Sequence, residues 1–144
     1  MVESPADHPD LGADLHRLGR EVLRRERPLL AALGVDLWDY MVMSRLQDGP
    51  APTQGQLAAA VGRDATRLIA TLDGLQARGL LERTPDPRDR RNRVVALTAA
   101  GRTLLAACRT AIRAMEADLL GAVPAGDRQV FRDALTRLAA DLPP

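Results

Sequence analysis

A chain of 144 residues, 46% of them hydrophobic and with a net charge of +1, has enough apolar sequence for one packed domain and is neither a disordered chain nor a polycation. Aromatic residues make up only 2%, so the core has to come from Leu, Ala, Val and Ile, which favours packed helices over a β-sandwich. No apolar run approaches the roughly 18 residues of a membrane span, and affinity for nucleic acid has to come from a local patch of the 20 basic residues, all of them arginine.

The first ten residues, Met1 to Asp10, carry Pro5 and Pro9 and lack a basic region followed by an apolar stretch. They read as a disordered tail rather than a secretory signal. A helix is expected from Leu11 to about Arg27, because Leu11, Leu15, Leu18 and Val22 recur at the spacing of one helix face. Pro28 is a point of kinking or restart, and Leu29, Leu30 and Leu33 carry the apolar signal to Gly34. The second helix spans about Asp36 to Leu46, with Leu37, Tyr40, Met41 and Ser44 sharing a face. Asp48 to Pro52 is a loop by its turn residues.

Thr53 and Gln56 fit a capping box that opens a short helix, with Leu57, Ala58 and Val61 inward and Gly62 at its end. A longer helix follows from Asp64, its N-cap, to Arg78, with Gly79 in the left-handed position beyond it. Two helices joined by a tight glycine-containing turn make a helix-turn-helix. Leu80–Thr84 and Arg93–Leu97 then read as the strands of a hairpin. The proline-broken, charged segment 85–92 forms its tip, a wing. Thr98 caps a helix from about Ala99 to Gly121, with a stripe of Leu104, Cys108, Ile112, Met115 and Leu119. A last helix runs from about Ala125 to Asp141, with Val130, Phe131, Leu135 and Leu138 inward.

The fold class is therefore mainly α with a small β-hairpin, a winged helix-turn-helix in the order α-α-α-α-β-β-α-α. A single domain over 11–144 divides into a winged core at about 36–98 and flanking helices at about 11–33 and 99–141. Those flanking helices hold more apolar stripe than one chain of this size can cover, which points to a symmetric pair.

On the helix 64–78, Leu68, Leu72 and Leu75 face one way, with Ile69 at the edge. Arg63, Thr66, Arg67, Ala70, Gly74 and Ala77 face the other. Donors at the N-terminal end and small residues beyond suit entry into a major groove. The wing carries Arg88, Arg90, Arg91 and Arg93, and arginines on such a loop suit the adjacent minor groove. Asp89 would be repelled by phosphate, so its expected part is to pair with Arg91 or Arg67 and hold the guanidinium in place. Asp86 and Asp89 in an exposed, arginine-rich loop suit that electrostatic part better than a catalytic pair. With no nucleotide-binding, metalloprotease or hydrolase motif present, an enzyme is not expected.

Asp89 and Arg91, followed by Leu97, Thr98 and Gly101, resemble the wing signature of the MarR family. Leu75 with Gly79 and Leu80, and Thr53 and Gln54 with Leu57 and Ala58, are similar to further parts of that family's pattern. The resemblance runs from about residue 11 to 141. It implies a homodimeric regulator of transcription, often a repressor released by small, frequently aromatic, ligands. It also implies that Arg91 is the minor-groove residue, oriented by Asp89, and that Thr53, Gln54, Arg63, Thr66, Arg67, Ala70, Arg88 and Arg90 complete the contact with duplex DNA at a pseudo-palindromic operator. The chain departs from the pattern at Arg67 and Ile69, where many relatives have Ser or Thr, and at Ala70, where Arg is common. Arg67 is the expected reader of bases.

Where relatives form an effector cavity, this chain has His16 and Arg20 on the first helix and Trp38 and Met41 on the second. The same residues also suit an ordinary core and an exposed polar face. Effector binding would act by shifting the population of lobe separations. Two alternatives stay open: a constitutive binder or activator with no ligand, and a winged protein-interaction module that does not bind DNA. Cys108 on an apolar stripe reads as a buried structural thiol, His8 and His16 have no partners for a metal, and no cofactor is implied. The single cysteine and the missing signal point to the cytoplasm.

Overall fold

The computed structural model describes residues 10–51 and 53–142. Most of the expected tail, including His8, lies outside these. Asp10, which the tail reading took in, instead caps the first helix and accepts a hydrogen bond from the Gly12 N–H at 3.1 Å.

Helix α1 (Leu11–Ala32) continues through Pro28 without a break. Helix α2 (Leu37–Leu46) starts in a reciprocal capping box between Asp36 and Asp39. In α3 (Gln54–Val61) Thr53 caps the Gln56 N–H at 3.0 Å, and only this half of the expected box forms among the described residues. Gly62 joins α3 to α4 (Ala65–Ala77) at φ +66°, a left-handed conformation that costs a residue with a Cβ.

Strands β1 (Leu81–Pro85) and β2 (Arg93–Leu97) pair antiparallel, Leu81 opposite Leu97 and Pro85 opposite Arg93. The first strand begins one residue later than expected because Leu80 is spent elsewhere: its N–H closes the end of α4 on the Leu75 carbonyl, and its own carbonyl accepts from Thr98. Ala51, in the segment expected to be a plain loop, exchanges backbone hydrogen bonds with Val95 at 2.8 and 3.1 Å. That bridge covers the free edge of β2. Helix α5 (Ala99–Leu119) leads through a short 3-10 turn at Leu120–Ala122 to α6 (Arg128–Ala140). The last helix starts three residues after its expected position because Pro124 and Asp127 close a turn first, their backbone bond 2.9 Å long.

One apolar core lies inside the winged lobe and against α5. Val42, Met43 and Leu46 of α2, Leu57 and Val61 of α3, and Leu68, Leu72 and Leu75 of α4 meet Leu81, Val95 and Leu97 of the hairpin. Leu105, Cys108 and Ile112 of α5 and Leu30 of α1 close it. Each large aliphatic side chain buried this way stabilises the fold by about 1.5–3 kcal/mol. The most deeply buried residues of α2 are Val42, Met43 and Leu46, while the face shared by Leu37, Tyr40, Met41 and Ser44 is half-buried, the first three against the same core. The helix is apolar nearly all round, so its period could not select a side. The stripe of α5 is centred on Leu105 rather than Leu104, with Leu104 and Met115 half-buried at its margin.

Gly101 is where α5 crosses the start of β1. A Cβ built there would stand 1.9 Å from the Leu80 carbonyl oxygen, so only glycine lets the two backbones approach. Thr98 locks the same corner. Its hydroxyl donates to the Gly79 carbonyl at 2.6 Å and accepts from the Gly101 N–H at 3.1 Å.

The last helix corrects the sequence reading most sharply. None of its residues is buried in the single chain. Val130 is 67% exposed and Leu138 64%, and Phe131 and Leu135 are exposed as well. The first half of α1 is similar: Leu11 and Leu15 stand in solvent.

Candidate nucleic-acid interface

Helix α4 presents Thr66, Arg67 and Ala70 to solvent while Leu68, Leu72 and Leu75 are sealed in the core. Asp64 caps it by accepting from the Arg67 N–H at 3.0 Å, and its second carboxylate oxygen lies 3.5 Å from the Arg67 Nε. The guanidinium is thus leaned toward the helix N-terminus while remaining largely exposed. The helix dipole and the unpaired amides of the first turn favour an anion at that end.

In the wing, Arg88, Asp89, Arg90 and Arg91 are all exposed. Asp89 does not pair with a guanidinium as expected. Its carboxylate accepts from the Arg91 backbone N–H at 3.0 Å, as Asp86 accepts from that of Arg88 at 2.9 Å. Arg67 pairs with Asp64 instead. Short acidic side chains bond the backbone two residues on more readily than they reach a distant guanidinium. The two aspartates therefore shape the loop, and among the described residues the wing arginines pair with no carboxylate.

Arg83 on β1 ties the wing to the helix-turn-helix and was missed in the sequence. Its Nε donates to Gln76 at 2.7 Å and its Nη1 to Gln54 at 3.3 Å, and its Nη2 pairs with Asp73. One side chain thereby joins β1, α3 and α4. Gln54, an expected DNA contact, has its side-chain oxygen committed to this brace, while Thr53 is committed to its cap. The signal was present in the alternation of β1: Arg83 lies two residues from buried Leu81 and so on the same face, where a cation needs partners.

Arg63 has turned away from the exposed face of α4. Its guanidinium carbon lies 4.3 Å from the centre of the Trp38 ring. The other effector candidates do not converge within one chain. Arg20 lines an open groove along α1 with Arg17, Glu21, Leu23, Arg24 and Arg27, whereas Trp38 lines clefts with Arg27, Ala31 and Leu37 and with Arg63 and Arg67. His16 is exposed, and Met41 packs against the core. Glu21, gripped by Arg24 and Arg25, has its carboxyl lowered to about 2. Cys108 is buried in the core, and that burial pushes its thiol up, away from the thiolate that redox chemistry needs. Among the described residues, no group of three or more His, Cys, Asp or Glu is placed to hold a metal, and no helix is long and apolar enough to cross a membrane.

A helix-turn-helix braced to a two-stranded wing and flanked by long helices defines the winged-helix class. Comparison with known proteins narrows it. The MarR family pattern matches residues 33–92. The transcriptional regulator HosA of Escherichia coli is 30% identical over 99 residues, 69% of this chain and 73% of HosA. The HTH-type transcriptional repressor Rv2887 of Mycobacterium tuberculosis is 26% identical over 136 residues, 94% of this chain and 98% of the repressor. Among solved structures, the repressor CouR bound to a 23-mer DNA duplex is 27% identical with a TM-score of 0.78, covering 90% of this chain and 92% of CouR. CouR from Rhodococcus jostii RHA1 bound to p-coumaroyl-CoA is 29% identical with a TM-score of 0.75, covering 98% of both chains. The chain belongs to the MarR family of transcriptional regulators.

Proposed function

We propose that the protein is a homodimeric, cytoplasmic repressor that binds a pseudo-palindromic operator in duplex DNA and is released by a small anionic effector. What supports this above all is the exposed face of α4, with Thr66, Arg67 and Ala70, beside a wing whose arginines have no carboxylate partner among the described residues. Arg67 reads base edges in the major groove, where a guanidinium can meet a guanine through two hydrogen bonds. Arg91, with Arg88 and Arg90, enters the minor groove on a loop that Asp86 and Asp89 hold in shape. That CouR is bound to a 23-mer DNA duplex supports the DNA-binding part of this reading.

Pairing of two chains through α1 and α6 would cover Leu11, Leu15, Val130, Leu135 and Leu138 and set two recognition helices about one DNA turn apart, 34–36 Å. The groove along α1 sets four arginines, Arg17, Arg20, Arg24 and Arg27, against the one carboxylate of Glu21, a net cationic lining that supports an anionic effector, and CouR's p-coumaroyl-CoA is an anionic aromatic thioester. Regulation, not catalysis, is the role.

Fluorescence anisotropy with the intergenic duplex upstream of the protein's own gene, against a shuffled duplex, tests this reading. A preference of about 10³-fold or more supports it. Equal and steeply salt-dependent binding to both would leave only a non-specific basic surface. Binding unchanged by every ligand that the protein takes up would remove the effector part alone.

A further inference from the structure

Trp38, the single tryptophan, is the second residue of α2, and Arg63 stands between the left-handed Gly62 and the N-cap of α4. They are 25 positions apart, and nothing in either local pattern links them. In the fold, the guanidinium of Arg63 lies over the indole at 4.3 Å. Its Nε and Nη1 are shut from solvent without a hydrogen-bond partner. A phosphate-seeking arginine keeps those donors in water, since leaving them buried and unpaired costs free energy. Here the face of the ring, as a cation–π partner, offsets part of that cost. The turn holds Arg63 in place as well, through its N–H to the Ala58 carbonyl at 3.0 Å.

The neighbouring residue of α2 reaches the other end of the same helix. Asp39, which caps the Asp36 N–H at 3.3 Å, pairs at 3.5 Å with Arg78, the C-cap of α4. The first turn of α2 therefore touches both ends of α4, at the start through Trp38 and Arg63 and at the finish through Asp39 and Arg78. A straight helix anchored at both ends has its direction fixed.

Resting on the reading of α4 as the recognition helix, we infer that Trp38 and Arg63 are positioning residues: their stack sets the angle of α4 against α2, and Arg63 acts on operator affinity through that angle rather than by touching phosphate. The cleft on the α1 side of the same indole, lined by Arg27, Ala31, Asp36 and Leu37, places Trp38 between the first helix and the recognition helix.

The test uses the full chain as Arg63→Leu, Trp38→Leu and the double variant, with Arg63→Lys and Trp38→Phe as conservative controls and a thermal melt to show that each is folded. Without DNA, Arg63→Leu uncovers the indole, so acrylamide quenches the Trp38 emission more strongly. An unchanged quenching constant overturns the stack. With the upstream intergenic duplex, each leucine variant loses about tenfold in affinity and the double variant loses no more than either. Trp38→Phe keeps most of the affinity, Arg63→Lys recovers only part, and the slope of log K against log salt stays that of wild type. A slope smaller by about 0.9 in Arg63→Leu, full rescue by lysine, or an inert Trp38→Leu would make Arg63 a phosphate contact and overturn the proposal alone. A wild-type chain with no preference for the duplex would overturn the DNA-binding reading and the proposal with it, while the quenching result would still decide whether the stack exists.

Discussion

The winged lobe and the terminal helices draw on the same few aliphatic residues and treat them oppositely. In the lobe, Leu68, Leu72 and Leu75 of α4 are each within 1% of full burial, and every element leans on another. In α6, Val130, Phe131, Leu135 and Leu138 occupy an equally regular helical stripe and none is buried. Among the described residues, the side-chain polar contacts that tie that helix to the rest are the ion pair of Arg132 with Glu116, at 3.1 Å, and the bond from Arg128 to the Val123 carbonyl. Contacts of this kind at a solvated surface contribute little. The lobe is satisfied by its own chain, whereas the apolar stripes of the terminal helices are left uncovered by it, as the proposed pairing of two chains needs.

Placing charge on the outer stripe gives the largest expected effect. Leu135→Asp combined with Leu138→Asp should halve the mass seen by light scattering and lower operator affinity by about 10³-fold, because one lobe alone makes half the contacts. The lobe itself should survive, with Cys108 still protected from alkylation. Gly101→Ala acts the other way, striking the lobe and sparing the stripe. Its new Cβ meets the Leu80 backbone, so urea denaturation should show a loss of about 2–3 kcal/mol.

Arg91→Ala is smaller. It should weaken operator binding about tenfold and reduce the salt slope by about 0.9 without changing the melt. The smallest effect belongs to the seam between α1 and α5. Burial first, and then the charge of Glu116, raise the Glu26 carboxyl above its ordinary value. The folded chain therefore binds that proton more tightly than the unfolded one, and stability falls as pH rises through the folded-state value. Glu26→Gln removes this dependence. Its melting temperature should match that of wild type in acid and exceed it slightly at neutral pH.

The lobe was readable in the sequence because its signals are local. Leu68, Leu72 and Leu75 repeat within one helix, Gly62 and Gly79 punctuate it, and charged residues interrupt the hairpin at 85–92. Asp64 and Thr98 act as the caps expected of them. What stayed hidden depends on distant neighbours. The face of α2 could not be chosen from a helix that is apolar on most sides. Arg83 meets Gln54 across 29 positions and so passed for an ordinary surface cation, and Arg63, expected as a DNA contact, finds Trp38 of α2 beyond the whole of α3. The part of Asp89 was misread because a two-residue backbone bond outcompetes a longer reach to a guanidinium. The α6 stripe was legible as a stripe, and the excess of such stripes pointed to a second chain, but the periodic pattern did not say that Val130, Phe131, Leu135 and Leu138 would all lie outside the core of their own chain.

Sedimentation equilibrium of the protein, alone and with its upstream intergenic duplex, tests the central claim most directly. The account predicts a free species of twice the 15.6 kDa of one chain, and two chains on each bound duplex. A 15.6 kDa species that binds the duplex one to one, with α6 still uncovered, would contradict it.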